Sequence, residues 1–207
     1  MTDWHTWHEA YDDPDSSLTK RLAVVRQRIA EALAPSAVGR VLSLCAGDGR
    51  DVLPILASVP RDRQPETVLV ELDPTLAAAA RETAAASGVA VSVINDDAGW
   101  APNWQASTPV DLLLLCGIFG NVSDDDIRTT VRSVPSLLQP DGTVIWTRGH
   151  LTGHDVRPHI REWFRDAGLD EIAFDSEPVG YGVGVNRRPA TTSGDEPIPE
   201  RLFSFVR

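Results

Sequence analysis

The apolar positions of this chain follow two alternating periods. Residues 40–44, 67–72, 89–94, 110–116 and 143–147 are short runs rich in Val, Leu and Ile, and Leu112 to Cys116 are five apolar residues in succession. Runs of this kind predict strands buried on both faces. Between them the period lengthens. Leu18, Leu22, Val25, Ile29 and Leu33 recur at helical spacing behind Ser16 and Ser17, which predicts a serine-capped amphipathic helix ending near Pro35. Further helices are predicted over 51–58, from Pro74 to about 86 with Gly88 at the C-terminal cap, over 124–138 (Ile127, Val131, Val134, Leu138), and over 158–167 (Ile160, Trp163, Phe164). Pro140-Asp141-Gly142 reads as a turn. Residues 171–174, 181–186 and 202–206 are strand-like, and 190–199 is polar and reads as a loop.

Five strand–helix alternations predict a doubly wound α/β fold, a mostly parallel sheet of about seven strands with helices on both faces and right-handed crossovers. At 207 residues one domain over 1–207 is expected, with 1–35 as an N-terminal lid segment and helix. Ligands of such sheets sit at the carboxyl ends of the strands, near the point where strand order reverses. The residues that follow the first four strands are therefore the ones to read for chemistry.

Composition narrows the partners. Lys and Arg number 19 against 30 Asp and Glu, a net charge of −11, which opposes a nucleic-acid backbone or an anionic membrane. No apolar run approaches the ~18 residues of a membrane span. Cys45 and Cys116, the two cysteines, form neither a disulfide framework nor a metal knuckle. The start Met1-Thr2-Asp3-Trp4-His5 lacks signal-peptide character, so a cytoplasmic protein is expected.

After the first strand comes Ser43-Leu44-Cys45-Ala46-Gly47-Asp48-Gly49-Arg50, whose small residues let backbone N–H groups approach a ligand. The dinucleotide fingerprint G-x-G-x-x-G fails at Cys45 and Arg50, and no P-loop motif occurs. After the second strand stands Glu71, then Leu72-Asp73-Pro74. Asp73 before Pro74 suffices as a helix cap, which leaves the Glu71 carboxylate for a ribose diol. After the third come Asn95-Asp96-Asp97-Ala98, where a carboxylate and the next N–H can read an adenine edge.

In that order, VLSLCAGDGRDV, VELDP, NDDA and DLLLLCGIFGNV resemble the glycine-rich motif, ribose acid, adenine loop and fourth strand of the class I S-adenosylmethionine (SAM)-dependent methyltransferases, over about residues 38–187. With WHxxYDDPDS and VIWTR they are similar to actinobacterial methyltransferase-like proteins of unassigned substrate. The resemblance implies a Rossmann-like methyltransferase fold with SAM as cofactor. It implies contacts from Ala46, Gly47, Asp48 and Gly49 near the methionine portion, Glu71 and Leu72 at the ribose, Asp97 and Ala98 at adenine with Asp96 as second choice, and Cys116-Gly117 at the sulfonium side. Ser43 and Cys45 stand where the family usually has an acid and a glycine. Binding geometry is expected to survive through Gly47, Gly49 and Glu71.

Methyl transfer from a sulfonium is an in-line displacement that needs alignment and, for an O–H or N–H nucleophile, a base. His150 and His154, after the fifth strand, and His8 on the N-terminal segment are the candidate bases, and Arg148 is a candidate anion clamp and catalytic residue. No metal is expected, since Gly153 and Pro158 break any helix that would align His150, His154 and His159. Trp4, Trp7, His8 and Tyr11 read as a lid or as a strap over the helix, with Trp7 and His8 as substrate contacts of the lid and Tyr11 a cofactor contact by resemblance. Phe119, Asn121 and Arg148 complete the expected substrate pocket. The leading expectation is a methyltransferase of a small-molecule, natural-product type metabolite, with presentation by a carrier or partner protein left open. Two others stand beside it: an enzyme repurposed for elimination or ring closure, and a noncatalytic interaction protein on this scaffold.

Overall fold

The computed structural model describes residues 13, 16–34, 38–150 and 152–206. Helix α1 (Ser17–Leu33) starts where the Ser16 side chain accepts from the Thr19 N–H, and it buries Val25, Ile29 and Leu33. Strands β1 (Arg40–Leu44), β2 (Glu66–Val70), β3 (Val91–Ile94) and β4 (Val110–Leu115) follow, with helices α2 (Leu53–Ser58) and α3 (Pro74–Ser87) between them. Then come α4 (Asp124–Leu137), β5 (Leu138–Thr147), α5 (Arg157–Asp166), β6 (Asp170–Ser176) and β7 (Gly182–Arg187). The predicted caps of α3 are in place. Asp73 accepts from the N–H groups of Thr75 and Leu76, and Gly88 closes the helix in the left-handed region at φ 68°.

The strands form one seven-stranded sheet in the order β3-β2-β1-β4-β5-β7-β6. Neighbours from β3 to β5 pair in parallel, and β7 runs antiparallel to both β5 and β6. This is the doubly wound Rossmann-like fold. Alternate residues of each strand serve opposite faces. Leu42, Leu44, Val68, Val70, Leu113, Leu115, Val144 and Trp146 pack under α4 and α5. Val41, Leu69, Leu112, Leu114 and Ile145 pack with Val25 and Ile29 of α1, Leu53 and Leu56 of α2, and Ala80 and Ala84 of α3.

Three expectations change. β2 ends at Val70 rather than at 72, which leaves Glu71 and Leu72 in the loop. Residues 140–142 lie within β5, where the register with β4 shifts between Val110 and Leu112 and Asp141 takes φ 63°. Residues 202–206 are no strand: the segment makes only isolated bridges, Arg201 with Trp100 and Phe205 with Val122, and joins no ladder of the sheet. The antiparallel strand of the sheet is β7.

At the sheet's far side Trp146 stacks on Phe164 at 5.5 Å and donates its indole N–H to Asn186 Oδ1 at 2.9 Å. A Cβ at Gly184 would lie 2.1 Å from Cε2 of that buried indole. Gly184→Ala is therefore expected to destabilise the fold by about 1–3 kcal/mol, the cost of overpacking a full core, with a lower urea midpoint at unchanged slope.

Candidate functional site

From β1 the chain winds outward through β2 and β3, and then returns to β4 on the other side of β1. The loops at the carboxyl ends of β1 and β4 therefore part, and a cavity of about 490 Å³ opens there. Its wall draws on the loops after β1, β2, β3 and β4, on Arg21, Leu22 and Val25 of α1, and on Phe205 near the C-terminus.

The β1 loop passes through the left-handed region three times, at Cys45 (φ 54°), Gly47 (φ 59°) and Gly49 (φ 74°). Gly49 is forced by packing, since a Cβ would meet Leu53 Cδ1 at 2.6 Å. Gly47 is different: it lines the cavity, and a Cβ there would meet nothing within 4 Å. Gly117, after β4, has φ 80° and the same open space. Bare backbone thus faces the cavity from both sides of the parting, a cradle that side chains would fill. Gly117 is held there by its N–H to Thr147 Oγ1 at 2.8 Å and by Asn121 Nδ2 on its carbonyl at 2.9 Å.

Glu71 joins two loops. Its Oε2 accepts from the Gly47 N–H at 2.7 Å and its Oε1 from the Asp73 N–H at 2.9 Å, while the residue is only 9% exposed. Each oxygen keeps a second lone pair, so the carboxylate can still accept from a vicinal diol in the cavity. On the β3 side Asp97 accepts from the Gly99 N–H at 2.8 Å and pairs with Arg201, which stacks over Trp100 at 5.0 Å.

Five carboxylates against two guanidiniums line the cavity, which gives it the sign for a cationic ligand and opposes one carrying phosphates. Asp51 is unlike the others. Its Oδ1 is buried and has no hydrogen-bond partner among the described residues. Desolvation, with the charge of Asp48 nearby, pushes its carboxyl up to about 6, against the backbone N–H groups of Val52 and of Asp51 itself and the smaller pull of Arg21. Burial raises the Cys45 and Cys116 thiols, helped by Glu71 and Asp97 at the first and by Asp51 at the second. Neither supplies a thiolate nucleophile at neutral pH.

Residues 41–142 match the family model described as a methyltransferase domain. The matched segment carries the four strand ends that build the cavity. Among solved structures, an O-methyltransferase family protein from Burkholderia thailandensis aligns with a TM-score of 0.64 at 19% identity, covering 80% of this chain and 55% of its own. The 1,6-didemethyltoxoflavin-N1-methyltransferase of the same organism, solved with its namesake compound and S-adenosylhomocysteine, aligns at 0.62 and 18% over 91% of this chain and 84% of its own. An O-methyltransferase family 2 protein from Planctomyces limnophilus, in complex with apigenin, aligns at 0.62 and 16% over 83% and 60%. This chain thus spans little more than half the length of the first of these. Their likeness establishes a shared methyltransferase-type fold. No curated protein matches the chain.

The cavity brings together Ala46, Gly47, Asp48, Glu71, Leu72, Asp97, Ala98, Cys116 and Gly117, with Gly49 shaping the loop. Other expected residues lie elsewhere. Asp96 is exposed and spends Oδ1 on the Asp97 N–H. Phe119 is wholly buried 6.1 Å from the Trp146 ring, a core residue and not a pocket wall. Asn121 positions Gly117 from behind. Arg148, His150 and His154 are not part of the cavity wall: the chain after β5 turns onto Gly180, with which His150 exchanges both backbone hydrogen bonds at 2.7 Å, and exposed His154 stands 5.2 Å from His159. Arg148 lies behind Gly120. Trp7, His8 and Tyr11, with Trp4, lie outside the described residues. Among the described residues no three His, Cys, Asp or Glu side chains are grouped to hold a metal, and no helix is long and apolar enough to cross a membrane.

Sequence reasoning missed Arg21, Asp51 and Phe205. Asp51 was readable as a polar residue directly behind the glycine loop. The other two come from the chain's ends, and no local pattern aims them at the cavity.

A raised Asp51 carboxyl has a consequence for stability. The folded chain takes up a proton at about 6 where the unfolded chain does so near 3.8, so the burial penalty is full above about pH 6 and absent below 3.8. Asp51→Asn is expected to raise the melting temperature at pH 8 and to change it much less at pH 4, as followed by circular dichroism.

Proposed function

We propose that the chain is a class I SAM-dependent methyltransferase acting on a small-molecule, natural-product type acceptor in the cytoplasm. The observation that carries the reading is the Glu71 carboxylate. It is buried at the end of β2, fixed by the Gly47 and Asp73 N–H groups, and still able to accept from a ribose diol. The family match over 41–142 and the acidic cavity support the same cofactor, whose sulfonium and ammonium groups make it cationic.

The residues fit the group. Glu71 would hold the ribose hydroxyls, Leu72 and Ala98 would flank the base, and Gly47 and Gly117 would let the chain's backbone close on the region between. Bound there, SAM supplies a methyl group already activated on a sulfonium, so the protein's part is alignment and exclusion of water. Thr147 and Asn121, by fixing Gly117, set the wall against which an acceptor is aligned. The structural neighbours bound to didemethyltoxoflavin and apigenin support a small aromatic acceptor. The net charge of −11 supports a role without nucleic acid. Arg148 and the histidines, which a repurposed elimination or ring closure would use as clamp and base, lie outside the cavity wall and lend that alternative no support.

Titration calorimetry with SAM and with S-adenosylhomocysteine tests the proposal. Micromolar binding is expected for the wild type, with a loss of about ten- to a hundred-fold or more in Glu71→Ala, which removes charge-assisted hydrogen bonds and loosens the Gly47 loop. A wild type that binds neither nucleoside would overturn it.

A further inference from the structure

The loop after β3 takes its backbone and its side-chain geometry from different parts of the chain. The backbone is set within the loop: the Asp97 carbonyl accepts from the Trp100 N–H and from Asn103 Nδ2, each at 3.2 Å, and the Ala98 carbonyl accepts from the buried Trp104 indole at 2.9 Å. The Asp97 carboxylate is pinned by two donors of separate origin. Its Oδ1 takes the Gly99 N–H at 2.8 Å, and its Oδ2 takes Nη1 of Arg201, 104 residues further along the chain.

Arg201 is itself held in place. On either side of it Glu200 accepts from the Ala101 N–H at 2.7 Å and Leu202 donates to the Gly99 carbonyl at 2.9 Å, which sets Arg201 opposite Trp100 in an antiparallel bridge. Its guanidinium lies over the Trp100 ring at 5.0 Å. A planar cation seated on an aromatic face, on a clamped backbone, offers its N–H groups in few directions. The side chains of Arg201 and Asp97 are 43% and 38% exposed, and an ion pair that open to water adds little to the stability of a fold. Its consequence is geometric. Asp97 lines the cavity and Arg201 is not part of the wall, so the guanidinium acts on a ligand there through the carboxylate. With both oxygens pinned, the lone pairs left on Asp97 have fixed directions, and an ionised carboxylate can only accept. It suits a ligand edge that carries a donor, and it sets acceptor against acceptor when an oxygen takes that place.

We propose that Arg201 is a positioning residue for base recognition: it fixes the Asp97 carboxylate to accept from the 6-amino group of the cofactor's adenine, and so makes the site selective against a 6-oxo purine. This rests on the methyltransferase reading above. Residue 201 lies beyond the matched segment 41–142, so the selectivity draws on the chain's C-terminal segment and not only on the part that the family model describes.

The test compares S-adenosylhomocysteine with S-inosylhomocysteine, the same molecule with oxygen in place of the adenine amino group. Binding of each to wild type, Arg201→Gln, Asp97→Ala and the double variant is measured by calorimetry. The wild type is expected to prefer the adenine compound about ten- to a hundred-fold, and Arg201→Gln to bring the two within about three-fold by weakening that compound alone. Unchanged binding of S-inosylhomocysteine reports that each variant is folded. In Asp97→Ala the preference is lost, and adding Arg201→Gln changes neither ligand by more than about two-fold, because no carboxylate is left to position. A wild type that holds the two compounds alike, a preference that survives Arg201→Gln, or an equal loss of both ligands, as a merely structural contact would give, would overturn the assignment and leave the methyltransferase reading standing. A wild type that binds neither SAM nor S-adenosylhomocysteine would overturn both.

Discussion

Where parallel strands end, backbone N–H groups lose their partners, and the first two loops of this sheet resolve the deficit with one side chain. The Glu71 carboxylate takes the N–H of Gly47 from the first loop and of Asp73 from its own. Asn95, from the third loop, gives its amide to the carbonyls of Glu71 and Leu72 at 2.8 and 2.9 Å. Three loops are thereby locked together at one corner. Each charge-assisted bond is worth about 1.5–3 kcal/mol, and the desolvation of a carboxylate is tolerable only because both are made. The Gly47 N–H is held by this anchor, while the rest of the loop is closed by its own bonds, Gly49 N–H to the Ala46 carbonyl and Arg50 to Asp48.

The opposite rim is built by a different device. Residues 200–206 cross from the third loop to the fourth. Glu200 accepts from the Ala101 N–H, Leu202 donates to Gly99, and Val206 donates to Asn121. Leu202 and Phe203 sink into the core under α4, where the Thr130 hydroxyl meets the Leu202 carbonyl, and the Arg201–Asp97 pair ties the strap to the cavity side. Gly99 is required beneath it, because a Cβ would stand 2.2 Å from the Phe203 carbonyl oxygen. Phe205 reaches the cavity only because these bonds carry it there.

Elements whose cause is local were legible in the sequence. The Asp73-Pro74 start and Gly88 stop of α3, the Ser16 cap of α1 and the apolar runs of β1 and β4 are each fixed by residues within a turn of the feature. Glycines 47 and 49 were legible for the same reason. What a side chain faces is not local. Phe119 and Asn121 follow β4 just where a pocket residue should, yet one turns into the core against Trp146 and the other turns back on Gly117. His150 follows β5 as expected, but pairing with Gly180 draws its segment away. The apolar run 202–206 read as strand-like, but its backbone bonds go to Gly99 and Asn121 in the third and fourth loops and not to a neighbouring strand.

The distribution of charge follows from the same geometry. Position 43 sits in β1 between Leu69 of β2 and Leu114 of β4, and it is buried in the middle of the sheet. Position 51 comes after the chain has left the sheet, within reach of α1 and its arginines, where a carboxylate still pays part of the desolvation but has a cation beside it. Asp51 and α1 are joined at the cavity, because the guanidinium whose charge acts on Asp51 is that of Arg21 on this helix. The helix that the amphipathic stripe alone would place as a cover is thus bound to the site by electrostatics as well as by packing.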